Sequence, residues 1–259
     1  GGRDSTFLLY HLTKQIGLRC LAVHFNDGFG NPVAGENMQK VVGSLGVDLR
    51  TISADWRESK DLKLTCLKAS VPDLNLATDI GLTAALYGVA AKENLRTIFV
   101  GQSFRTEGIA PLEWNYLDGH YLKAVHDRFG EIGLRPWKAE DPGYHLDWQH
   151  LVYYSVIRRI RILTPYYYMN YVRSTVDEIL ERELGWQNPG FHYYDDLYQS
   201  LLTNILRTKF GIDRRRFNYS ALVRSGQLSR REALEKIEKN YGIENPKTIE
   251  LCIKRLGLS

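Results

Sequence analysis

The first hundred residues alternate between two hydrophobic patterns. Short continuous apolar runs, which predict buried strands, occupy residues 19–25, 48–52 and 97–100. Between them, apolar residues recur at helical spacing. The predicted helices are residues 5–16, which Gly17 ends, residues 33–45, residues 54–69 and a fourth that Thr78 or Asp79 caps and that runs to about Glu93. This alternation predicts an α/β fold in which helices connect parallel strands.

Three loops follow predicted strands or precede a helix at the same edge of the sheet. They are residues 1–6, 26–32 and 101–108. In open parallel sheets the ligand binds beyond the carboxyl ends of the strands. Because a glycine-rich loop is aimed by the strand before it, we expect a first strand upstream of Gly1. We expect the functional site where the three loops converge.

Beyond about residue 112 the strand signal fades. Helices are predicted over residues 114–129, 145–160, 174–184, 195–207 and 230–241. Ser229 and Glu232 form a capping box, and Asn245 with Pro246 begins a last helix that Gly257 ends. The sequence therefore predicts an α/β domain over residues 1–112 and an α-helical extension over residues 113–259 that completes the substrate site.

Net charge, cysteine spacing and the lengths of the apolar runs limit the classes of ligand and partner that we expect. The chain has 259 residues and a net charge of +4, which suits a polyanionic small molecule such as a nucleotide without demanding nucleic acid. Cys20, Cys66 and Cys252 lie far apart, which argues against a zinc ribbon or a disulfide framework and favours a reducing, cytoplasmic setting. Since no apolar run approaches the roughly 20 residues of a membrane span, we expect neither a membrane nor a nucleic acid as partner.

The segment Gly1-Gly2-Arg3-Asp4-Ser5-Thr6 has the chemistry of a phosphate loop. Glycines let the backbone approach an oxyanion, and the start of a helix adds the positive end of its dipole. The Ser5 and Thr6 hydroxyls and the Arg3 guanidinium supply further donors. A simple turn with an Asp or Ser N-cap explains the same spacing. The absence of a G-K-(S/T) lysine argues against a kinase-type P-loop.

This hexapeptide resembles the signature of PP-loop ATP pyrophosphatases, a serine followed by Gly-Gly-x-Asp-Ser-(Ser/Thr), with the leading serine falling before Gly1. Further stretches resemble the N-acetyl sugar amidotransferase family of these enzymes. They are residues 26–28 with 34–37, residues 67–73 with Thr78 and Asp79, residues 101–108 with Pro111 and Trp114, and residues 209–216 with Ser220, residues 225–227 and residues 231–233. The similarity thus runs in order along nearly the whole chain.

The resemblance implies an adenine nucleotide alpha hydrolase-like fold that uses ATP and Mg²⁺ and forms AMP and pyrophosphate. Family members adenylate the acetamido oxygen of a nucleotide-activated N-acetyl sugar and replace it with ammonia, giving an acetamidino group. They act in the biosynthesis of surface polysaccharides such as the lipopolysaccharide O-antigen. The resemblance also implies partner proteins similar to the glutaminase and cyclase subunits of histidine biosynthesis, which supply the ammonia.

The chain departs from the family pattern in two places. The third position of the loop is usually lysine and is Arg3 here. Where the family tends to read Gly-Lys-His-(Tyr/His)-Glu-Ser, residues 190–195 read Gly-Phe-His-Tyr-Tyr-Asp and keep only His192 of the central polar residues. An upstream cysteine-rich segment that the family uses for zinc falls outside these residues.

We assign candidate roles on the patterns and the resemblance together. The catalytic candidates are Asp4, Ser5, Arg105 and Glu107. Because Mg²⁺ prefers carboxylate and phosphate oxygens, the metal ligands are Glu107 and Asp4. Nucleotide binding is assigned to Gly1, Gly2, Arg3, Asp4, Ser5, Thr6, Asn26, Asp27, Gly101 and Gln102. The sugar substrate is assigned to Thr106, Trp114, Asp118, His192, Lys209 and Arg214.

Each assignment has a structural alternative. Glu107 suits a helix start, residues 26–28 suit a turn, and Asp79 suits an N-cap. Asp118 suits a surface position, His192 suits packing among tyrosines, and the basic residues between 207 and 231 suit a solvated helical face. Two other functions remain open. One is a tRNA-modifying PP-loop ligase or thiolase that uses the basic region on phosphates. The other is a degenerate nucleotide-binding scaffold subunit.

Overall fold

The computed structural model describes residues 1–108, 117–188, 196–239 and 245–258. Within these ranges the strands form two small parallel sheets. Strand β1 (Leu21–Asn26) pairs with β2 (Asp48–Ser53), and β3 (Thr97–Phe99) pairs with β4 (Arg161–Leu163). Helix α4 (Leu76–Lys92) packs on both β1 and β3. The prediction of a mixed α/β fold with parallel strands is confirmed.

The helices of the first hundred residues begin close to the predicted positions. Helix α1 (Arg3–Tyr10) continues as a π-helical turn, and α2 (Pro32–Leu45) has Asn31 as its N-cap. Helix α3 (Trp56–Ala69) begins after Asp55, whose side chain accepts a hydrogen bond from the Arg57 amide. These are N-cap interactions that satisfy first-turn amides.

The predicted cap of α4 is wrong. The helix begins after Asn75, so Thr78 and Asp79 lie inside its first turns rather than before it. Asp73 and Asn75 form the preceding turn, in which the Asp73 carboxylate accepts a hydrogen bond from the Asn75 amide at 3.0 Å. The N-cap therefore lies three or four residues earlier in the chain than predicted, and Thr78 and Asp79 are available for other contacts.

The second half of the chain is mostly helical. Its helices are α5 (Gly119–Phe129), α6 (Trp148–Val152), which continues as a π-helix over Tyr153–Ile157, α7 (Arg173–Leu184), α8 (Tyr198–Phe210), α9 (Arg215–Arg224), α10 (Arg230–Glu238) and α11 (Pro246–Leu256). The predicted capping box of α10 and the Asn245 cap of α11 are confirmed. Helix α9 was not predicted.

Strand β4 corrects the prediction that the extension is purely helical. Its three residues are all exposed, so they lack the apolar alternation that marks a half-buried strand. What defines the strand is its pairing with β3, in which Thr97 lies opposite Arg161. Because β3 lies more than sixty positions earlier in the chain, the residues around β4 contain no pattern that predicts this strand.

Two hydrophobic clusters hold the elements together. The larger surrounds α3 and α4 and includes residues from the C-terminal segment, namely Tyr198, Leu201, Leu202, Cys252 and Leu256. The smaller joins α1 and α7 through Phe7, Leu8, Leu180 and Trp186. The C-terminal helices therefore complete the main core. Among the described helices, none is both long and apolar enough to cross a bilayer.

Candidate active site

The Gly1–Thr6 segment leads directly into α1. Gly2 is extended (ψ 164°), and α1 begins at Arg3 without a side-chain cap among the described residues. The Ser5 hydroxyl donates a hydrogen bond to the Gly2 carbonyl at 3.3 Å. A helix start of this kind turns its first backbone amides toward the same region of space as the positive end of the dipole.

Two glycines allow close backbone approaches around this helix start. A Cβ on Gly1 would lie 1.8 Å from the Ala34 carbonyl oxygen, so a side chain there would clash with α2. A Cβ on Gly101 would lie 3.0 Å from the Asp4 carbonyl carbon and oxygen. The loop of residues 101–108 therefore lies against the first turn of α1, and two of the three predicted loops converge.

Two carboxylates, Asp4 and Glu107, share this junction. Burial, and to a smaller extent the nearby charge of Asp4, raises the pKa of Glu107 to about 8. The Tyr171 hydroxyl donates to the Asp4 carboxylate, and the Tyr166 hydroxyl donates to the Asp4 carbonyl at 2.6 Å. The described residues contain no cluster of three or more His, Cys, Asp or Glu side chains suited to a metal ion. A cation here would rely on these two carboxylates and on oxygens of a ligand.

A tight turn fixes the loop that carries Glu107. The buried Ser103 carbonyl accepts hydrogen bonds from the Thr106 amide at 3.2 Å and from the Glu107 amide at 2.8 Å. The Thr106 hydroxyl and the Arg105 Nε are buried and have no hydrogen-bond partner among the described residues. Because buried polar groups are nearly always satisfied, these two atoms mark a place where a polar ligand would complete the hydrogen bonding.

The remaining residues of the first loop take structural roles. The buried Arg3 forms a bidentate ion pair with Asp177 of α7, in which Nη2 lies 3.1 Å from Oδ2, and its guanidinium lies 5.8 Å from the Trp186 ring. Arg3 therefore anchors the loop to α7. The Thr6 side chain is buried, and its amide donates to the Gly2 carbonyl at 3.2 Å. Gln102 is exposed beside Gly101.

The third predicted loop is held by a buried ion pair. Lys63 Nζ lies 2.7 Å from the Asp27 carboxylate, which also accepts a hydrogen bond from the Thr78 hydroxyl at 2.9 Å. Burial alone would raise the pKa of Asp27, but the Lys63 ammonium holds it below its ordinary value. The Asn26 side chain accepts from the Gly28 amide at 3.0 Å, which is the turn geometry expected of an Asn-Asp-Gly segment. Both side chains thus make contacts within the protein.

A second polar group lies at the start of α4. The Asn75 side-chain nitrogen Nδ2 donates a hydrogen bond to the Asp79 carboxylate at 3.0 Å. The Asn75 side-chain oxygen Oδ1 is buried and has no partner among the described residues. The pKa of Asp79 is raised to about 7, because burial and the negative charge of Asp73 outweigh the opposing charges of Lys63 and Arg214. Arg214 donates to Gln199 at 2.7 Å. Arg214 is a predicted substrate residue, whereas Asp73 and Asn75 are not, because only the tertiary fold brings Arg214 close to the start of α4.

The C-terminal segment closes one side of the 101–108 loop. A Cβ on Gly108 would lie 2.2 Å from the Phe217 Cβ, so α9 presses directly on the loop backbone. The Ser225 hydroxyl donates to the Arg105 carbonyl at 2.8 Å. Gln227 donates to the Tyr171 carbonyl at 2.9 Å and accepts from the Arg173 amide at 2.8 Å. These contacts connect the end of α9 to the 101–108 loop and to residues 171–173, the two segments next to Asp4.

Other predicted substrate residues either have different contacts in the fold or lie outside the described residues. Asp118 is the N-cap of α5 and accepts from the His120 amide at 2.8 Å, which corrects its predicted place inside a helix. Lys209 is exposed near the end of α8. Trp114 and His192 lie outside the described residues. Within the basic region, Arg215 pairs with Asp213 at 2.6 Å and donates to carbonyls at the end of α10, so part of that region serves the fold.

Comparison with models of protein families gives a match to the C-terminal segment. Residues 190–259 match the model of the family described as LPS biosynthesis protein WbpG-like, C-terminal domain. No curated protein matches the chain. The match supports a family of lipopolysaccharide or polysaccharide biosynthesis, and the matched segment contains α9, Ser225 and Gln227, which border the candidate site.

Proposed function

We propose that this chain is an ATP-dependent amidotransferase of surface-polysaccharide biosynthesis. The observation that carries the proposal is the junction of the Gly1–Thr6 segment with the 101–108 loop, where Gly101 lies against Asp4 and Glu107 lies near the Asp4 carboxylate. The family match of residues 190–259 supports the pathway, and the resemblance of the loops supports the reaction.

The residues of the junction suit Mg-ATP as a substrate. In this proposal the first backbone amides of α1 and the Ser5 hydroxyl hold the phosphates, and Arg105 and Thr106 meet the ligand through their unsatisfied buried atoms. Asp4 and Glu107 would hold Mg²⁺, since two close carboxylates repel each other and a divalent cation would relieve that repulsion. Bound there, Mg²⁺ would neutralise part of the triphosphate charge.

The reaction follows from the chemistry of an amide. The acetamido oxygen of a nucleotide-activated sugar attacks the α-phosphorus of ATP, and pyrophosphate leaves. Ammonia then attacks the acetamido carbon, and AMP departs with the oxygen, so nitrogen replaces oxygen. A site that excludes water protects the activated amide from hydrolysis. We further propose that a separate glutaminase with a cyclase-like partner supplies the ammonia.

The test is the release of AMP and pyrophosphate from Mg-ATP with ammonium chloride as nitrogen source, across a panel of UDP-linked acetamido sugars. We expect sugar-dependent AMP formation that falls at least about a hundredfold in Glu107→Gln, because this variant removes the charge that would hold the metal. Glu250→Gln, which changes an exposed carboxylate of α11 that pairs with Lys254, is the matched control and should keep the rate.

A second pair of variants separates the effect of misplacing the Asp4 carboxylate from the effect of removing it. Asp4 accepts a hydrogen bond from Tyr171, so Tyr171→Phe tests whether that contact only positions the carboxylate. We expect a higher KM for Mg-ATP in Tyr171→Phe and near-complete loss of turnover in Asp4→Ala. If the chain binds Mg-ATP yet forms no AMP with any acetamido sugar, the amidotransferase proposal is wrong.

A further inference from the structure

The helix of residues 148–157 has an apolar outer side. Its inner side packs through Tyr154, which is fully buried, and through Tyr153, which meets Trp137 edge to face at 5.3 Å. The outer side carries five exposed apolar residues: Trp148, Leu151, Val152, Val156 and Ile157. Trp148, Val156 and Ile157 are 68%, 64% and 66% exposed. A surface helix normally turns polar residues outward, so this face indicates an interaction site.

Cations border this apolar side. Arg158 donates to the Ala91 carbonyl at 2.5 Å and to the Asn94 side chain at 3.2 Å, which ties the end of the helix to the end of α4. The Arg161 amide donates to the Arg96 carbonyl at 2.9 Å, so those two residues are neighbours. The exposed residues that this geometry brings together are Lys92, Leu95, Arg96, Arg159, Arg161 and Ile162. Four of these six are cations.

Acidic residues near this region are mostly engaged. Asp147 caps the helix by accepting from the Gln149 and His150 amides at 3.0 and 3.2 Å. Glu93 pairs with Arg50 at 3.4 Å. Glu140 is exposed. The charge balance of the surface is therefore positive around an apolar centre.

We propose that this surface, defined by residues 148–162 with Lys92, Leu95 and Arg96, docks the protein on an anionic phospholipid bilayer. Apolar and tryptophan side chains enter the interfacial region of such a bilayer, and lysine and arginine side chains meet its phosphate groups. The contact is peripheral and needs no spanning helix. It differs from the expectation drawn from the sequence, because only the fold shows which side of this helix faces outward.

A second copy of the chain fits this surface less well. In a two-fold interface the same patch meets itself, so Arg96, Arg159 and Arg161 would approach their own counterparts. Like charges brought together across an interface oppose association. Arginine on the edge strand β4 also opposes pairing with another strand. An anionic bilayer offers the complementary charge to all of these cations at once.

The test is cosedimentation of the full chain with vesicles of phosphatidylcholine alone and with vesicles that contain about 30% phosphatidylglycerol. We expect binding to the anionic vesicles, weak binding to the neutral ones, and a decrease with added salt. Val156→Asp/Ile157→Asp should lower the apparent affinity at least about tenfold. Arg159→Gln/Arg161→Gln should lower it about tenfold on anionic vesicles, since each surface cation adds a separate attraction.

Matched controls lie on other helices. Leu234→Asp replaces an exposed leucine of α10, and Arg231→Gln/Lys254→Gln removes two exposed cations elsewhere. Both should bind as the unchanged protein does, and circular dichroism should show that every variant stays folded. Failure of the unchanged protein to bind anionic vesicles would overturn the proposal, as would equal binding by Val156→Asp/Ile157→Asp. Concentration-dependent dimerisation that this double variant abolishes would assign the surface to a second copy instead.

Discussion

Asp27 and Asp79 are carboxylates inside the fold whose pKa values shift in opposite directions. Asp27 accepts from Lys63 and Thr78, so its charged form is favoured. Asp79 accepts a hydrogen bond from the Asn75 side-chain amide, and burial is the main reason that its pKa rises to about 7. The difference follows from whether a cation reaches hydrogen-bond distance of the carboxylate.

The raised pKa of Asp79 predicts a specific pH dependence of stability. Between about pH 4 and pH 7, the folded protein keeps a proton that the unfolded chain has released, so this group's contribution to stability falls as pH rises through that window. Asp79→Asn has no proton to release and keeps the acceptor for Asn75. We expect the variant to be more stable at pH 8 by an amount on the order of 1–3 kcal/mol, with the difference disappearing near pH 4. Urea unfolding at the two pH values measures this, and a gain that is equal at both would contradict it.

The Asp27–Lys63 pair predicts strong coupling between two substitutions. Lys63→Met leaves the Asp27 carboxylate buried without its cation and should cost about 3–5 kcal/mol of unfolding free energy. Asp27→Asn/Lys63→Met removes both charges and should cost clearly less than the sum of the two single substitutions. A double-mutant cycle by urea unfolding at pH 7 tests this. Additive effects would show that the pair is not coupled.

At the scale of elements, the end of α9 joins segments that are distant in the chain. Gln227 bonds the backbone of Tyr171 and Arg173, and Ser225 bonds the backbone of Arg105. Tyr171 in turn donates to Asp4. Two side chains of the family-matched segment thus help position the 101–108 loop and residues 171–173 at the candidate site.

Replacing Gln227 should loosen this arrangement. Gln227→Leu removes a half-buried donor and acceptor together and leaves two backbone groups without these partners, so we expect a loss of about 2 kcal/mol. Amide hydrogen exchange should become faster at residues 171–173 and should stay unchanged in the rest of α7. Gln39→Leu, at an exposed position of α2, is the matched control. Unchanged exchange at residues 171–173 would show that Gln227 does not hold this segment.

The sequence predicts elements well where the signal is local. The Ser229 and Asn245 caps and the strands β1 and β2 all follow from neighbouring residues. Strand β4 did not, because its definition depends on β3. At the site, the approach of Gly101 to Asp4 could be anticipated from the order of strands and loops. The burial of Asp27 with Lys63 and the contacts of Gln227 depend on side chains that only the tertiary fold brings together.

At the scale of the whole molecule, the C-terminal segment and the α/β region share one core. Tyr198 meets Phe29 with ring centroids 5.3 Å apart, and Cys252 donates to the Leu197 carbonyl. The Leu197 amide donates to the Phe29 carbonyl at 2.8 Å. The family-matched residues therefore pack on the α/β region through buried rings and backbone bonds.

This shared core predicts that neither part is stable alone. Residues 190–259 expressed by themselves should lack a cooperative thermal transition, because Tyr198, Leu202 and Leu256 would lose the side chains they pack against. Residues 1–189 should aggregate, because the same separation exposes Phe29, Leu62 and Cys66. Near-ultraviolet circular dichroism and calorimetry measure this. A cooperative transition in the isolated C-terminal segment would contradict it.

The indole of Trp186 gives the molecule a built-in optical probe. Its N–H donates to the Gly1 carbonyl at 3.0 Å, and the Arg3 guanidinium lies 5.8 Å from its ring, while the ring itself is shielded from solvent. An anion that drew Gly1 or Arg3 toward itself would change the hydrogen bond and the local field, and the fluorescence emission would shift with it. Occupancy of the loop would then be visible without a label, and Trp186→Phe would silence that signal while leaving the other tryptophans to report on the rest of the fold.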